Sequence, residues 1–496
     1  MRARRAERRR RVMTIAGSDC GGGAGVQADI KTFAAMDVYG TSVLTAITAQ
    51  NSYGVHAVHE LPVEFVDAQI AAIIDDSGLG VDYAKTGMLY STAIINVVAD
   101  AFRRYKIPFV LDPVIKAGAG GALLEEDALN TLIEVLLPLC TVVTPNLQDA
   151  RVISGLEIRT MEEVKEAAIE IQRLGAEAVI IKGGHGHIDR DSAIKIEIAA
   201  GTGKATDLLL LHDVVEAGGE GERKFVELSL PLIDIKPGNV LHGAGCSYSA
   251  ALAVELANGK TLRDAAASAK KFVYNAISDG DAVSDIVVVD QTRGLLKDAD
   301  RYWTVENVKE AIRMLKKDKY FYELIPEVGT NIGMAISRAE NEKDVAAVDG
   351  RIVRMKEGIG IGMGMSMTHG CVDFGVSSHV ARMILAMMEQ DKDRRSAINV
   401  RYSQEILAAC KELGMKIGSF ERDKEPEFEL DPEPDERSNT KMRTMEWGVR
   451  EASNEFIPDV IFDLGAIGKE PMVRIFGNTA VDVAERVNRI AMFVYK

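Results

Sequence analysis

Between residues 12 and about 290, short β-prone runs alternate with segments of helical spacing. Val12-Met-Thr-Ile-Ala16, Ile107-Pro-Phe-Val-Leu111, Thr141-Val-Val-Thr144 and Ala178-Val-Ile-Ile181 are dominated by apolar residues, which predicts strands buried on both faces of a parallel sheet. The clearest helix is predicted over 161–174. Thr160 and Glu163 are spaced as a capping box, Val164, Ala167, Ile171 and Leu174 share one face, and Gly175 stops it. Alternation of this kind is the signature of a βαβ architecture.

The pattern changes near 291–325. Lys297-Asp-Ala-Asp-Arg301 is charged, and Thr304 is predicted to cap a linker helix with Val305, Val308, Ile312 and Leu315 on one face. A second region follows, with a strand predicted at Val460-Ile-Phe-Asp463 and helices near 379–390 and 480–492. Glu421 to Glu436 holds nine acids, two bases and three prolines, which predicts an exposed loop. No internal repeat is evident.

Composition narrows the function classes. The 496 residues carry 74 acids and 59 Lys and Arg, a net charge of −15, and 47% are apolar. At about 100–200 residues per domain, two to four domains with sizeable cores are expected. No run approaches the roughly 18 consecutive apolar residues of a membrane span, and the acidic balance argues against a general nucleic-acid binder. Five cysteines without a C-x-x-C pair suggest neither a disulfide framework nor a zinc site, and a reducing cytoplasm is the expected setting. The first eleven residues, with seven arginines and one glutamate, read as a solvated tail. A polyanion-binding arm is the alternative there.

Two glycine clusters carry the candidate chemistry. In His242-Gly-Ala-Gly-Cys-Ser-Tyr-Ser-Ala-Ala251 small residues open an alanine-rich helix, so unpaired amides and the positive end of the helix dipole are available to an anion. Cys246 at that terminus would have its thiol pKa lowered and could serve as a base or nucleophile; a small residue packed at a helix start is the plainer reading. Ala16-Gly-Ser-Asp-Cys-Gly-Gly-Gly-Ala-Gly25 follows the first strand and can cradle a ligand, but it matches neither a dinucleotide fingerprint nor a Walker loop.

Taken in order, Gly17-Ser-Asp19, Gly22-Gly23-Ala24-Gly25, Gln27-Ala-Asp-Ile-Lys-Thr-Phe33, Thr48-Ala-Gln50-Asn51, Lys85-Thr-Gly-Met88-Leu89, Leu111-Asp112-Pro113-Val114, Thr144-Pro-Asn146-Leu147, Lys182-Gly-Gly-His185 and Gly243-Ala-Gly-Cys246 resemble the hydroxymethylpyrimidine and phosphomethylpyrimidine kinases of thiamine synthesis. The resemblance implies an α/β, ribokinase-like kinase domain using ATP and Mg²⁺. It implies that Cys246 is the general base and that the amides of Gly243, Ala244 and Gly245 stabilise the transferred phosphoryl group. It also implies that Asp19, Gln50, Met88 and Val114 contact the substrate, while Asp112, Asn146 and Lys182 contact the nucleotide. The loop Asp112-Pro-Val-Ile-Lys-Ala-Gly-Ala-Gly120 departs from the family, with its lysine two positions early at Lys116.

The remainder contains Ile325-Pro-Glu-Val-Gly-Thr-Asn331, Gly350-Arg-Ile-Val-Arg354, Phe374-Gly-Val-Ser-Ser-His379-Val-Ala-Arg382, Asn399-Val-Arg-Tyr-Ser403 and Pro458-Asp-Val-Ile-Phe-Asp-Leu-Gly465. Ser377 and Ser378 would cap a helix bearing His379 and Arg382, with Arg351 or Arg354 closing over a phosphate. These segments resemble the archaeal type of thiamine phosphate synthase domain. That implies a second, smaller α/β domain in which Arg351, His379 and Arg382 stabilise a departing diphosphate. A thiamine-sensing, non-catalytic domain is the alternative, as is a broader pyridoxal or sugar kinase for the first half. Gly358 to Gly370 is glycine-rich and reads either as a surface connection or as a lid. The expected organisation is a tail at 1–11, a kinase domain at 12–295, a linker helix at 296–324 and a synthase-like domain at 325–496. The expected partners are small molecules and further copies of the chain, with no membrane and no nucleic acid.

Overall fold

The computed structural model describes residues 8–76, 79–116, 123–183, 203–211, 224–233, 235, 239–355, 358–362, 371–424 and 444–496. The chain divides into two compact units, Met1–Leu295 and Leu296–Lys496. Among the described residues no helix is long and apolar enough to cross a membrane.

The first unit is built on nine strands: β1 Arg11–Asp19, β2 Tyr39–Asn51, β3 Gly54–Glu60, β4 Tyr83–Thr86, β5 Phe109–Leu111, β6 Val142–Val143, β7 Val179–Ile181, β8 Lys204–Leu210 and β9 Phe225–Pro231. Their order across the sheet is β3-β2-β1-β4-β5-β6-β7-β8-β9. The six from β2 to β7 run parallel, and β3, β8 and β9 add antiparallel edges. The four apolar runs of the sequence fall on β1, β5, β6 and β7. Strand order reverses at β1, which lies between β2 and β4, and in sheets of this kind ligands collect beyond the carboxyl ends at such a switch point.

Both faces of this sheet are covered. On one side Thr92–Tyr105 packs its buried Ile94, Val98 and Phe102 against the sheet, with Phe102 stacked on Phe109 at 3.8 Å between ring centroids. On the other lies Ala244–Ala257, whose Ala250, Ala251 and Ala253 are fully buried. Small side chains let this helix approach the sheet closely. The helix Met161–Arg173 begins with both hydrogen bonds of the Thr160–Glu163 capping box.

Two expectations are corrected. Arg11 is not part of a tail but opens β1, while Arg8, Arg9 and Arg10 are exposed and make surface ion pairs, Arg8 and Arg10 at 3.7 and 3.6 Å from Asp82 and Arg9 at 2.6 Å from Asp37. Residues 1–7 are outside the described residues. The linker helix does not start at Thr304 but runs unbroken over Arg293–Lys317, with Thr304 buried inside it. The charged stretch joins the helix because its side chains are anchored: Asp300 accepts from the amide and hydroxyl of Ser337, and Arg301 lies over the Phe374 ring.

The second unit has a seven-stranded sheet in the order Val372–Phe374, Val345–Val348, Ile332–Ala335, Ser396–Arg401, Met472–Gly477, Val460–Asp463 and Ile417–Ser419. Only the last pair is parallel. Ser378–Gln390 and Thr444–Ala452 pack on one face, and Ala480–Tyr495 packs on the other. The strand Arg351–Met355 pairs with Gly358–Gly362. Residues 363–370, and with them the lid reading, lie outside the described residues. So does the acidic stretch from 425, while Arg422–Lys424 forms a short 3-10 turn.

Candidate functional site

A cavity of about 320 Å³ opens at the carboxyl ends of the parallel strands in the first unit. Asp19 ends β1, Gln50 lies near the end of β2, Met88 follows β4, Asp112 and Val114 follow β5, Asn146 follows β6, and Lys182 follows β7; all of them line it. Gly243, Ala244, Gly245 and Cys246 line it from the start of the alanine-rich helix. Sequence positions 19 to 246 therefore meet in one space because each sits where a strand or helix opens onto the same edge. Lys116 lines the cavity as well, whereas residues 117–122 of its loop lie outside the described residues.

The helix terminus is held open by glycines. Gly243 has φ +87°, and a Cβ on it would stand 1.8 Å from the Gly23 carbonyl oxygen, so the two glycine clusters pack backbone to backbone. A Cβ on Gly245 would lie 3.4 Å from Lys182 Nζ, which places that ammonium beside the helix amides. Lys182 Nζ donates to Asp112 Oδ1 at 2.9 Å, and Ser249 Oγ donates to the other Asp112 oxygen at 3.0 Å. Asp19 is engaged by its own loop: Oδ1 accepts from the Gly21 amide, and Oδ2 accepts from the amides of Gly23 and Ala24 and meets His242 Nε2 at 2.8 Å. Burial opposes its ionisation, but the His242 hydrogen bond and these amides hold the Asp19 carboxyl well below the usual carboxylate range.

The Cys246 thiol differs from expectation. Burial pushes its pKa up, with Asp29 and Asp112 adding to the rise, and the opposing pull of Lys85 and the Gly25 amide does not reverse it. The helix dipole is legible in the sequence, whereas the desolvation that outweighs it comes from the fold. Charges beneath the cavity are likewise set by the fold. Lys85 and Asp29 form a fully buried ion pair at 2.9 Å, with Thr14 Oγ1 donating to the same carboxylate at 2.6 Å. Lys270 and Asp207 pair at 2.9 Å on the cavity wall. Asp149, beside Lys182 and Asp112, has its pKa pushed up to about 7, first by burial. Lys85 and Asp29 stand inside motifs quoted above; nothing local in the sequence marks them as partners, because 56 residues separate them.

In the second unit Ser377 occupies the N-cap of Ser378–Gln390, but its hydroxyl accepts from Asn331 Nδ2 at 3.2 Å instead of capping the helix. His379 reaches solvent. Desolvation lowers its imidazole pKa first, and the positive fields of Arg474, Arg351, Arg422 and Arg382 lower it further, to about 4. Arg351 donates to the Gly329 carbonyl at 3.5 Å, and Asn399 Nδ2 donates to the same oxygen at 3.0 Å. Arg382 is tied to Glu342 at 2.7 Å, and Arg354 donates to the carbonyls of Ile325 and Glu323. Arg422 and Arg474, which the sequence reading missed, both bind the buried Asp463.

Two family models match the chain: phosphomethylpyrimidine kinase over residues 19–288 and thiamine-phosphate synthase ThiN over residues 307–489. The chain is 42% identical over 292 residues to the hydroxymethylpyrimidine/phosphomethylpyrimidine kinase of Rhizobium meliloti, which covers 59% of this chain and 97% of that protein. It is 28% identical over 485 residues to the bifunctional thiamine biosynthesis protein ThiDN of Methanocaldococcus jannaschii, covering 97% of this chain and 98% of the relative. Among solved structures, an ADP complex of Bacillus subtilis pyridoxal kinase matches 58% of this chain and 99% of its own at 35% identity, with a TM-score of 0.48.

Proposed function

Because the chain belongs to the phosphomethylpyrimidine kinase family, we propose that the first unit's cavity holds an aminopyrimidine alcohol or its monophosphate near Gln50, Met88 and Val114, and holds ATP phosphates near Lys182. The protein is a bifunctional enzyme of thiamine biosynthesis, a hydroxymethylpyrimidine and phosphomethylpyrimidine kinase fused to a thiamine-phosphate synthase domain. The observation that carries the site assignment is the meeting of Cys246, the glycine-opened helix terminus and Lys182 in one cavity. Asp19 keeps the glycine loop in shape beneath the substrate.

The chemistry follows from that arrangement. The substrate hydroxyl oxygen attacks the γ-phosphorus, the bond to the ADP oxygen breaks, and Cys246 takes the hydroxyl proton. A loose phosphoryl transition state makes small demands on the base, so the fraction of Cys246 present as thiolate, small because burial raises the pKa, can take the proton late and become the thiol. The amides of Gly243, Ala244 and Gly245, at the start of the helix that lines the cavity, are assigned to the charge on the transferred group. Lys182 exchanges its Asp112 contact for phosphate oxygens, and Asn146 borders the nucleotide.

Mg²⁺ fits this site in the manner usual for phosphoryl transfer. Asp112 and Asp149 both line the cavity, and carboxylate oxygens are the ligands a protein offers an ion that takes the rest from phosphate and water. Asp112 and Asp149 would hold it. When bound it offsets charge on the phosphate oxygens.

In the second unit the C–O bond of the pyrimidine diphosphate breaks, its electron pair leaves on diphosphate, and the thiazole nitrogen's lone pair forms the new C–N bond. Arg351, His379 and Arg382 are assigned to the departing group. The test is to give the full chain hydroxymethylpyrimidine, MgATP and hydroxyethylthiazole phosphate and follow both phosphorylated intermediates and thiamine phosphate, with pyridoxal and ribose as competing substrates. Accumulation of diphosphate without thiamine phosphate overturns the synthase assignment. Preferential phosphorylation of pyridoxal or ribose overturns the pyrimidine assignment.

A further inference from the structure

Asp463 ends the strand Val460–Asp463 and is fully buried. Its Oδ1 accepts from Arg422 Nε at 2.6 Å and from the Gly465 amide at 2.9 Å; its Oδ2 accepts from Arg474 at 2.6 Å and from Arg422 at 3.3 Å. Two guanidinium groups thus share one carboxylate, although the Arg474 side chain is 1% exposed and that of Arg422 10%. An excess buried charge is costly unless an anion joins it. Among the described residues the buried Nε of Arg474 has no hydrogen-bond partner, a donor of the kind a buried ligand satisfies.

The cluster lies near the His379 site, whose imidazole feels the charges of both arginines. Arg474 stands opposite Asn399 in the sheet register. Asn399 Oδ1 accepts from the Asn331 amide at 2.7 Å, and Asn331 Nδ2 donates to Ser377 Oγ, two residues before His379. Asn399 also shares the Gly329 carbonyl with Arg351. Asn331 Oδ1 is a second buried atom that has no hydrogen-bond partner among the described residues. By contrast, Arg382 already has Glu342 to itself, and Arg354 is engaged by carbonyls.

We infer that Arg422 and Arg474 form the diphosphate-binding floor of the second unit's site and that Asp463 is a positioning residue holding the two guanidinium groups side by side. The inference rests on the synthase reading of that unit and names which cations receive its leaving group. One carboxylate between two arginines lowers their mutual repulsion while leaving a positive charge for the ligand. Planar guanidinium groups fixed this way offer paired donors to phosphate oxygens.

The test uses the full chain with Arg422→Gln, Arg422→Lys, Arg474→Lys and Asp463→Asn. Calorimetry with inorganic diphosphate reads binding directly, and steady-state kinetics separates kcat from KM for the pyrimidine diphosphate. Arg422→Gln is expected to weaken diphosphate binding by about tenfold or more, since a hydrogen bond to a charged group is worth that much. Arg422→Lys is expected to recover part of the loss, and Asp463→Asn to raise KM. Kinase turnover on the same preparations reports that the first unit is intact, and the urea-unfolding transition of each variant reports the second. Because Arg422 lies at the rim of the cluster, its variants decide the matter if a core variant fails to fold. Unchanged diphosphate affinity and KM in Arg422→Gln overturn the inference, as does a native chain that binds no diphosphate. A chain that binds diphosphate through these residues yet forms no thiamine phosphate sinks the synthase reading and leaves the anion site standing.

Discussion

The two units meet the same problem, holding phosphate in an acidic protein, with opposite charge arrangements. Around the first cavity four basic side chains have their own carboxylates: Lys182 with Asp112, Lys85 with Asp29, Lys270 with Asp207 and His242 with Asp19. In the second unit Arg422 and Arg474 share Asp463, and their field reaches His379 together with those of Arg351 and Arg382. A kinase must release both of its phosphorylated products, so positioned amides and neutralised lysines suffice. A site whose leaving group is diphosphate gains from a standing positive charge, because that charge is worth more as the negative group separates.

The first way to break the comparison is to unpair one of the neutralised lysines. Lys85→Met leaves Asp29 buried without its partner and is expected to cost about 3–5 kcal/mol of stability. The double variant Lys85→Met with Asp29→Leu should recover most of it. Urea denaturation of both variants checks this, and a single variant as stable as the native chain would show that the pair does not hold charge.

Removing the proton acceptor comes next. Cys246→Ala is expected to lower the kinase kcat by about a hundredfold or more, the usual contribution of a positioned base, with little change in KM. The raised thiol pKa sets the sign of the pH dependence: the thiolate is scarce at pH 7 and grows as pH climbs, so kcat of the native chain should rise above the ordinary thiol range of about 8.5. A flat profile there, or full activity in Cys246→Ala, removes the thiol from proton transfer.

Much of the first unit was legible because its chemistry lies at strand and helix ends, where short motifs are local in sequence. The β1 loop, the residues after β4 to β7 and the Gly243–Cys246 terminus all announce themselves this way. What stayed hidden is pairing across the sheet. Lys85 and Asp29 are 56 residues apart, Lys182 and Asp112 are 70 apart, and Arg422 and Asp463 are 41 apart. Arg422 was hidden further by its neighbours, since a stretch of nine acids reads as solvated loop although its second residue is drawn inward by Asp463. The thiol was misjudged for a related reason: the dipole at a helix terminus can be read from sequence, while burial depends on what the rest of the fold places over it.

His379 tests the positive field of the second unit. With a pKa of about 4, it is neutral at pH 7. The folded value lies below the ordinary 6.5, so this residue's contribution to stability is fully present above 6.5 and is lost as pH falls toward 4. Bound diphosphate should raise the imidazole pKa by offsetting the arginines. Following the His379 ring proton by NMR, with and without inorganic diphosphate, checks both statements. A free-protein pKa near 6.5 would mean that neither burial nor the arginines act on it, and a low value that diphosphate leaves unchanged would mean that burial alone sets it.

The smallest effect is expected where one unit's rule intrudes on the other. Arg382 is the arginine near His379 that has a carboxylate of its own, and Glu342 sits 2.7 Å away with a side chain 38% exposed. Glu342→Gln removes that competitor without removing the side chain's bulk. Partly exposed ion pairs are worth about 0–1 kcal/mol, so inorganic diphosphate should bind up to about fivefold tighter in this variant, with the gain shrinking as salt is added. Weaker binding would mean that Glu342 aims Arg382 at the ligand, the role Asp463 has for its own two arginines, and the contrast between the two units would then lie in how many cations each carboxylate holds.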